Sequence, residues 1–375
     1  MLTAAQAVFH KRGGDLRFHE AVRRRFEVGH CVSASSGRAA LSLTLRAMRD
    51  LRPARDEVCL PAYTSFSVPS AVVNAGLKVS LYDVDPETLG PDLVSLERAI
   101  STRTLCIVVC HLYGYVADVE EVSLAARRVG CFVVDDAAQA MGAKIRGRWA
   151  GTMGDAGLFS LSRGKNITAV EGGVVVTDSL ELAQALIRIE LGHKSLKEDL
   201  ATVVRAGALF ALLPPRLYWI PQRLPGLKMG VSIFNPRFES RRLGKVQAAL
   251  ALRALDRLEE INRGRIRTAA RLMQALAPLS QIKISRPLDG TQSVFLRLPV
   301  RCEEGNYSGA PELGVVRSYP CPLSEIEGLR PHLRGPKESF SGAKTMAKEI
   351  WTVPTHGYVT DCDIDRTVRL FRGAS

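Results

Sequence analysis

The chain has 375 residues, 46% hydrophobic and 24% charged, which suits a globular protein of two domains or of one large domain with a smaller companion. A net charge of +13 favours anionic partners, but the basic residues are dispersed (Arg23 to Arg25, Arg127 and Arg128, Arg241 and Arg242), with no zinc-finger or ribonucleoprotein spacing, so no nucleic acid is expected as partner. No apolar run approaches the roughly 20 residues of a membrane span, and the first residues lack the apolar run and cleavage site of a signal peptide.

Residues 10–26 read as a basic N-terminal helix. A strand follows and breaks at Ser35, Ser36 and Gly37 into a helix with apolar positions at Leu41, Leu45 and Met48. That helix start is either an anion site, through its free amides and positive dipole end, or an ordinary cap made by Ser36, and both can hold. Residues 56–67 read as a second strand ending in a loop with Tyr63, Thr64, Ser65 and Phe66, then a helix over 67–75 and a strand over 76–85. The run 105–110 is the next strand and leads to His111 and Tyr113, Tyr113 serving either as wall or in the chemistry. Cys106, Cys110 and His111 do not make a metal site, because a strand turns alternate side chains to opposite faces. The eight cysteines read as free thiols of a reducing compartment.

The run Cys131 to Val134 is a buried strand with Asp135 and Asp136 at its carboxyl end, where ligands gather in parallel α/β sheets. The two aspartates either cap a following helix or face a ligand. A further strand, Ala156 to Phe159, runs into a loop holding Ser160, Ser162, Arg163 and Lys165, with glycines on both sides, and the strand Val174 to Thr177 follows. A lysine on such a loop is commonly only solvated. Here the hydroxyls and Arg163 suit a phosphate, and a lysine amine forms a Schiff base with a bound aldehyde. Pyridoxal 5'-phosphate (PLP) carries both groups and needs an acidic partner for its ring nitrogen, which the aspartates supply. Strands alternating with helices imply a mostly parallel sheet covered on both faces.

Past Thr177 come a helix over 180–191, a polar run to Asp199, and an apolar run over 203–213 that ends among Pro214, Pro215 and Pro221. Residues 246–276 read as a long amphipathic helical region broken near Asn262, Arg263 and Gly264. Strands are expected over 294–300 and 314–319. The chain divides most naturally into residues 1–245, a large PLP-binding domain, and residues 246–375, a small C-terminal domain, with the N-terminal segment packing on the latter.

The segments Asp135-Asp136-Ala137-Ala138-Gln139-Ala140-Met141-Gly142-Ala143, Gly154-Asp155-Ala156-Gly157-Leu158-Phe159-Ser160-Leu161, Gly164-Lys165-Asn166-Ile167-Thr168 and Glu171-Gly172-Gly173 resemble the DegT/DnrJ/StrS sugar aminotransferases, from about Ser33 to the C-terminus. The resemblance implies an α/β fold of type I, a large domain with a mostly parallel central sheet between helices and a smaller C-terminal α/β domain. It implies PLP as cofactor, Lys165 as its Schiff-base residue and proton carrier, Asp136 on the ring nitrogen, Gln139 on the ring hydroxyl side, and Gly37, Arg38 and Ser160 at the phosphate. Arg38 stands where the family has threonine. Ser65 stands where it has a ring-stacking aromatic, so that Phe66, Tyr63 or neither fills the role. Ser240 stands where an asparagine reaches the neighbouring subunit's phosphate, with Arg242 two residues on. Arg317 to Pro320 and Val353 to Tyr358 match the closing motifs; His356 either faces the site or fixes loop backbone.

The implied reaction moves an amino group, from glutamate, to a keto-sugar, nucleotide-linked, for cell-surface polysaccharide or a related glycan, in a cytoplasmic homodimer. Alternatives are a non-catalytic regulator on nucleic acid or membrane, and a dehydratase, in which histidine would replace Lys165. The apolar, aromatic and basic stretch over 206–234, with Arg216, Tyr218, Trp219, Arg223 and Lys228, is either a dimer contact or lid, or a surface that docks peripherally on the inner face of an anionic membrane.

Overall fold

The computed structural model describes residues 14–212, 233–303, 309–335 and 339–373. In chain order the first half runs α1 (Gly14–Phe26), β1 (His30–Ala34), α2 (Gly37–Leu51), β2 (Glu57–Pro61), α3 (Ser67–Asn74), β3 (Lys78–Tyr82), α4 (Leu93–Ala99), β4 (Thr104–Cys110), α5 (Val119–Val129) and β5 (Phe132–Asp136). Two short strands, β6 (Lys144–Ile145) and β7 (Arg148–Trp149), precede β8 (Ala156–Ser160), β9 (Gly173–Thr177), α6 (Leu180–Arg188) and α7 (Leu196–Leu212). The C-terminal part holds α8 (Lys245–Leu255), α9 (Leu258–Leu276), β10 (Ile282–Ile284), β11 (Thr291–Gln292), β12 (Arg297–Cys302), α10 (Ser341–Glu349), β13 (Ile350–Pro354) and α11 (Asp361–Arg372).

Seven strands form one sheet in the order β1-β9-β8-β5-β4-β2-β3. All but β9 run the same way, since β9 alone pairs antiparallel with both of its neighbours. Alternation along each strand sends neighbouring side chains to opposite faces. Val134, Leu158 and Val175 join the core beneath α2 and α3, whereas Val133, Phe159, Val174 and Val176 join the core on the other side with Phe18 and Phe26 of α1. Being apolar on both faces, these strands are buried between helical layers, as parallel sheets require. A separate antiparallel sheet, β10-β12-β13, carries its own core of Leu298, Val300, Trp351, Val353, Ile364 and Phe371.

Residue 245, where the sequence suggests dividing the chain, is the first residue of α8. Several contacts cross that point. The ribbon β11-β6-β7 joins residues 291–292 to 144–149, and Arg25 of α1 pairs with Glu259 of α9 at 2.8 Å. Asp83 crosses it as well: its buried carboxylate accepts from the amides of Gly342 and Ala343, both at 2.8 Å, and so caps α10 from a distant loop. Asp83→Ala is expected to destabilise the fold by about 2–3 kcal/mol, because two helix-start amides lose a charged acceptor. An unchanged denaturation midpoint would show that those amides find another partner.

Helix α1 lies against β1 through His19, whose Nε2 is 2.8 Å from Ser33 Oγ. Desolvation pushes this imidazole from 6.5 down to about 4. The unfolded chain therefore binds more protons than the folded one between those values, and stability falls as pH drops through that window. His19→Gln is expected to flatten this limb of a Tm-against-pH profile; an identical profile would assign the acid sensitivity to other groups.

Two sequence expectations are corrected. The helical region breaks at Asp256 and Arg257, and Asn262 and Gly264 lie inside α9. The Asn262 side chain does not disturb the helix because it bonds elsewhere, to Met141 O and Asn166, both at 2.9 Å, and a Cβ on Gly264 would meet nothing within 4 Å. The strands expected over 294–300 and 314–319 are also displaced. Phe295 has φ 46°, which interrupts extended backbone, so β12 begins at Arg297; over 314–319 only Val315 and Val316 form isolated bridges, after Gly314 at φ 69°. Arg216, Tyr218, Trp219, Arg223 and Lys228 lie outside the described residues. Among the described residues no helix is long and apolar enough to cross a membrane.

Candidate active site

Cys110, Asp136 and Ser160 are the last residues of β4, β5 and β8, three neighbouring parallel strands, so the chain's polar groups collect at one edge of the sheet. The aspartate pair is divided by strand alternation. Asp135 turns away: its Oδ1 is 2.6 Å from His111 Nε2, and its Oδ2 accepts from the amides of Gly151 and Met153 at 2.9 and 3.0 Å. The Ala117 amide donates to His111 Nδ1 at 3.0 Å, so Nε2 carries the proton given to Asp135. This pair is structural, and it consumes the histidine at the strand end.

Asp136 turns toward the lysine loop. Its Oδ1 accepts from the Ala138 amide at 3.0 Å and its Oδ2 lies 3.7 Å from Cys110 Sγ. Burial pushes its carboxyl above the usual range, with the Ala138 amide and the charge of Lys165 pulling the other way. Lys165 is half-buried as a residue, and desolvation of its amine lowers its pKa against the opposing charge of Asp136. Such a lysine has a larger fraction of free amine at neutral pH, the form that attacks an aldehyde.

The phosphate end is built by β1, α2 and β8. Ser36 caps α2, its Oγ accepting from Ala39 N at 3.2 Å, which leaves the amides of Gly37 and Arg38 at the free start of the helix. A Cβ on Gly37 would sit 3.1 Å from Ser160 Oγ, so a side chain there would fill the cradle between them. Gly173 is needed for a similar reason, since its Cβ would fall 2.4 Å from Ser36 O. Ser160 Oγ lies 3.3 Å from Ser162 Oγ. The Arg38 guanidinium stacks over the Phe238 ring at 4.7 Å, so only its backbone is offered to an anion. Beside this cradle the Ser35 amide bonds Arg241 O at 2.8 Å, and the adjacent Ser240 Oγ is buried without a hydrogen-bond partner among the described residues.

An aromatic wall closes the other side. Tyr113, held at φ 57°, stacks on Tyr319 with ring centroids 6.2 Å apart and meets Tyr63 hydroxyl to hydroxyl at 3.0 Å. Phe66 lies 6.5 Å from Tyr319, and Tyr63 meets that ring edge-on at 5.2 Å. Gln139 braces the wall, accepting from Tyr113 N at 3.2 Å and donating to the Tyr319 hydroxyl at 3.1 Å. His356 reaches solvent, yet desolvation and the charges of Arg265 and Arg297 push its imidazole down to about 4. Arg242 stands apart, exposed, with its charge felt by Asp15 of α1. Cys110 and Tyr319 were not singled out as site residues from sequence. Tyr319 carried a signal in its closing motif; Cys110 carried none until its register with Asp136 was known.

Among the described residues no cluster of metal-binding side chains is present. A lysine loop facing a buried aspartate, beneath a helix start that opens on serines, fits PLP at each of its three recognition points: the unpaired Ser240 oxygen and the Gly37 cradle suit the phosphate, Lys165 the aldehyde and Asp136 the ring nitrogen. With the seven-stranded sheet, this defines a fold type I, PLP-dependent aminotransferase. The chain belongs to the DegT/DnrJ/EryC1/StrS aminotransferase family, whose model matches residues 8–372. It is 33% identical over 85% of its length, and over 69% of the relative's, to an L-glutamine:2-deoxy-scyllo-inosose aminotransferase of Micromonospora echinospora. It is 30% identical over 94% of its length to the GDP-perosamine synthase of Caulobacter vibrioides, covering 88% of that protein. Among solved structures it is similar to S. venezuelae DesV in complex with a ketimine intermediate, with a TM-score of 0.78, 25% identity, and 99% of this chain and 92% of that one covered.

Proposed function

We propose that this chain transfers an amino group from glutamate to the ketone of a nucleotide-linked sugar, as a step in making a cell-surface polysaccharide or a related glycan. The observation that carries the reading is that the loop holding Lys165 leaves β8 beside the end of β5, where Asp136 stands, at the carboxyl edge of the sheet. PLP, when bound, supplies the electron sink that makes the carbon bearing the amino group acidic. The chain's own groups do the rest. The amides of Gly37 and Arg38, with Ser160, would hold the phosphate at a helix start, and Ser240 would reach the phosphate of the neighbouring subunit. Asp136 would keep the ring nitrogen protonated, and Lys165 Nζ would carry the proton between the substrate carbon and the cofactor. The aromatic wall of Tyr63, Phe66, Tyr113 and Tyr319, braced by Gln139, would exclude water, and Gln139 would contact the ring's hydroxyl side. His356 and Arg242 are proposed to meet substrate, Arg242 and Ser240 in a homodimer that a light-scattering mass will test. We further propose a cytoplasmic setting and a division of the chain near residue 245.

A second reading takes glutamine as donor and a cyclitol ketone as acceptor, and the inosose relative favours it. Purified, PLP-loaded protein incubated with glutamate or glutamine against nucleotide ketosugars and an inosose decides between them by mass shift of the acceptor. Amination of an inosose alone would replace the first reading with the second, and no amination of any ketone would overturn both.

A further inference from the structure

The buried thiol of Cys110 is not used in the reaction as described, yet it is the sole described partner of one oxygen of the aspartate on which that reaction depends. Cys110 and Asp136 are register partners on neighbouring parallel strands and the last residue of each, so their side chains leave the sheet side by side on one face. The Ala138 amide satisfies Asp136 Oδ1 at 3.0 Å, while Cys110 Sγ lies 3.7 Å from Oδ2. Thr64, buried at the end of the loop after β2, lies close enough to the same sulfur to act on it electrostatically. We propose that Cys110 is a positioning residue for transamination, a weak thiol donor that fixes the Asp136 carboxylate toward the ring nitrogen of PLP.

The choice of residue matters because it sets how much carboxylate charge remains available. Burial keeps the thiol protonated, so the sulfur acts as donor and not as a second anion beside Asp136. An S–H is a weak donor. It holds the rotamer of Asp136 while leaving most of the negative charge for the proton on the ring. A valine of similar volume would fill the space and give nothing to Oδ2, raising the cost of the charged carboxylate and moving the shared proton from ring to aspartate. A serine would restore a donor. The rival account is that Cys110 is only a small apolar side chain in a packed core, as buried cysteines commonly are. The two accounts separate on Cys110→Val, which keeps packing and removes the donor.

This inference rests on the aminotransferase reading above. The experiment loads wild type, Cys110→Val and Cys110→Ser with PLP labelled with ¹⁵N at the ring nitrogen and records its NMR shift, alongside kcat and KM. The expected result is a ring nitrogen that moves toward the unprotonated position in Cys110→Val and stays near wild type in Cys110→Ser. With it, kcat should fall about 3- to 10-fold in the valine variant at unchanged KM, as for one weak bond to a charged acceptor, and recover in the serine variant. If Cys110→Val does not fold, Cys110→Ala, also lacking the donor, carries the same expectations. A valine or alanine variant with wild-type shift and kcat overturns the role of Cys110 alone, and so does an equal loss in the serine variant. Wild-type protein that binds no PLP overturns the aminotransferase reading and this one together.

Discussion

Lys165→Ala is expected to abolish transamination and to lose the PLP that borohydride fixes to the wild-type chain. The reason is local. Lys165 stands where the β8 loop passes the carboxyl edge of the sheet, its amine lowered by desolvation and faced by Asp136. The candidate replacements are placed elsewhere: Lys194 bonds Gln247 at 2.8 Å, and Lys144 stacks over Trp149 at 3.8 Å. The fold should survive the change, because among the described residues the lysine side chain makes no hydrogen bond that alanine would leave unmade; far-ultraviolet circular dichroism and the melting temperature check this. A variant that still turns over near the wild-type rate would end the assignment of the whole site.

Asp136→Asn should retain the shape of the strand end and cost about 2–4 kcal/mol of transition-state stabilisation, roughly 30- to 1,000-fold in kcat/KM, since an amide cannot hold a cationic ring as a carboxylate does. The pH dependence has a definite sign. Burial raises the folded pKa of this carboxyl above its ordinary value, so the charged form costs stability at high pH and the apo protein should gain from the substitution there. The loaded enzyme should show the reverse, because a protonated ring beside Asp136 restores the worth of its charge. Kinetics indistinguishable from wild type would remove Asp136 from the reaction and return the question to its neighbour, although Asp135 is fully occupied by His111, Gly151 and Met153.

Much of this was legible in the sequence because strand ends in an α/β sheet carry their own punctuation. Cys131 to Asp136 announces both a buried strand and the polar groups at its carboxyl end, and the strand–loop–strand around Lys165 does the same. The residue pattern by itself left open which of two adjacent aspartates faces the site, and only the family resemblance pointed to Asp136; the choice depends on the phase of the β5 pleat, fixed by its pairing with β4 and β8. The break between α8 and α9 was misplaced because asparagine and glycine are poor helix formers in isolation, and the contacts that rescue Asn262 come from residues 96 and 121 positions away. The two bonds that Gln139 makes to Tyr113 and Tyr319 were likewise beyond the motif, since they join residues 26 and 180 positions apart.

Contacts that cross residue 245 set a condition on building chimeras. Exchanging residues 246–375 for those of a relative, to graft a new acceptor preference, would sever three kinds of joint at once. The Asn166–Asn262–Met141 amide chain ties the loop carrying Lys165 to α9; the Asp83 cap holds the start of α10; the ribbon at Thr291 and Gln292 completes the short strands after β5. A donor segment lacking an asparagine at the place of Asn262 would leave the buried Met141 carbonyl without its donor and the Asn166 side chain, next to the lysine itself, without its acceptor. Grafts that carry these joints with them have the better chance of arriving with the reactive amine still in place.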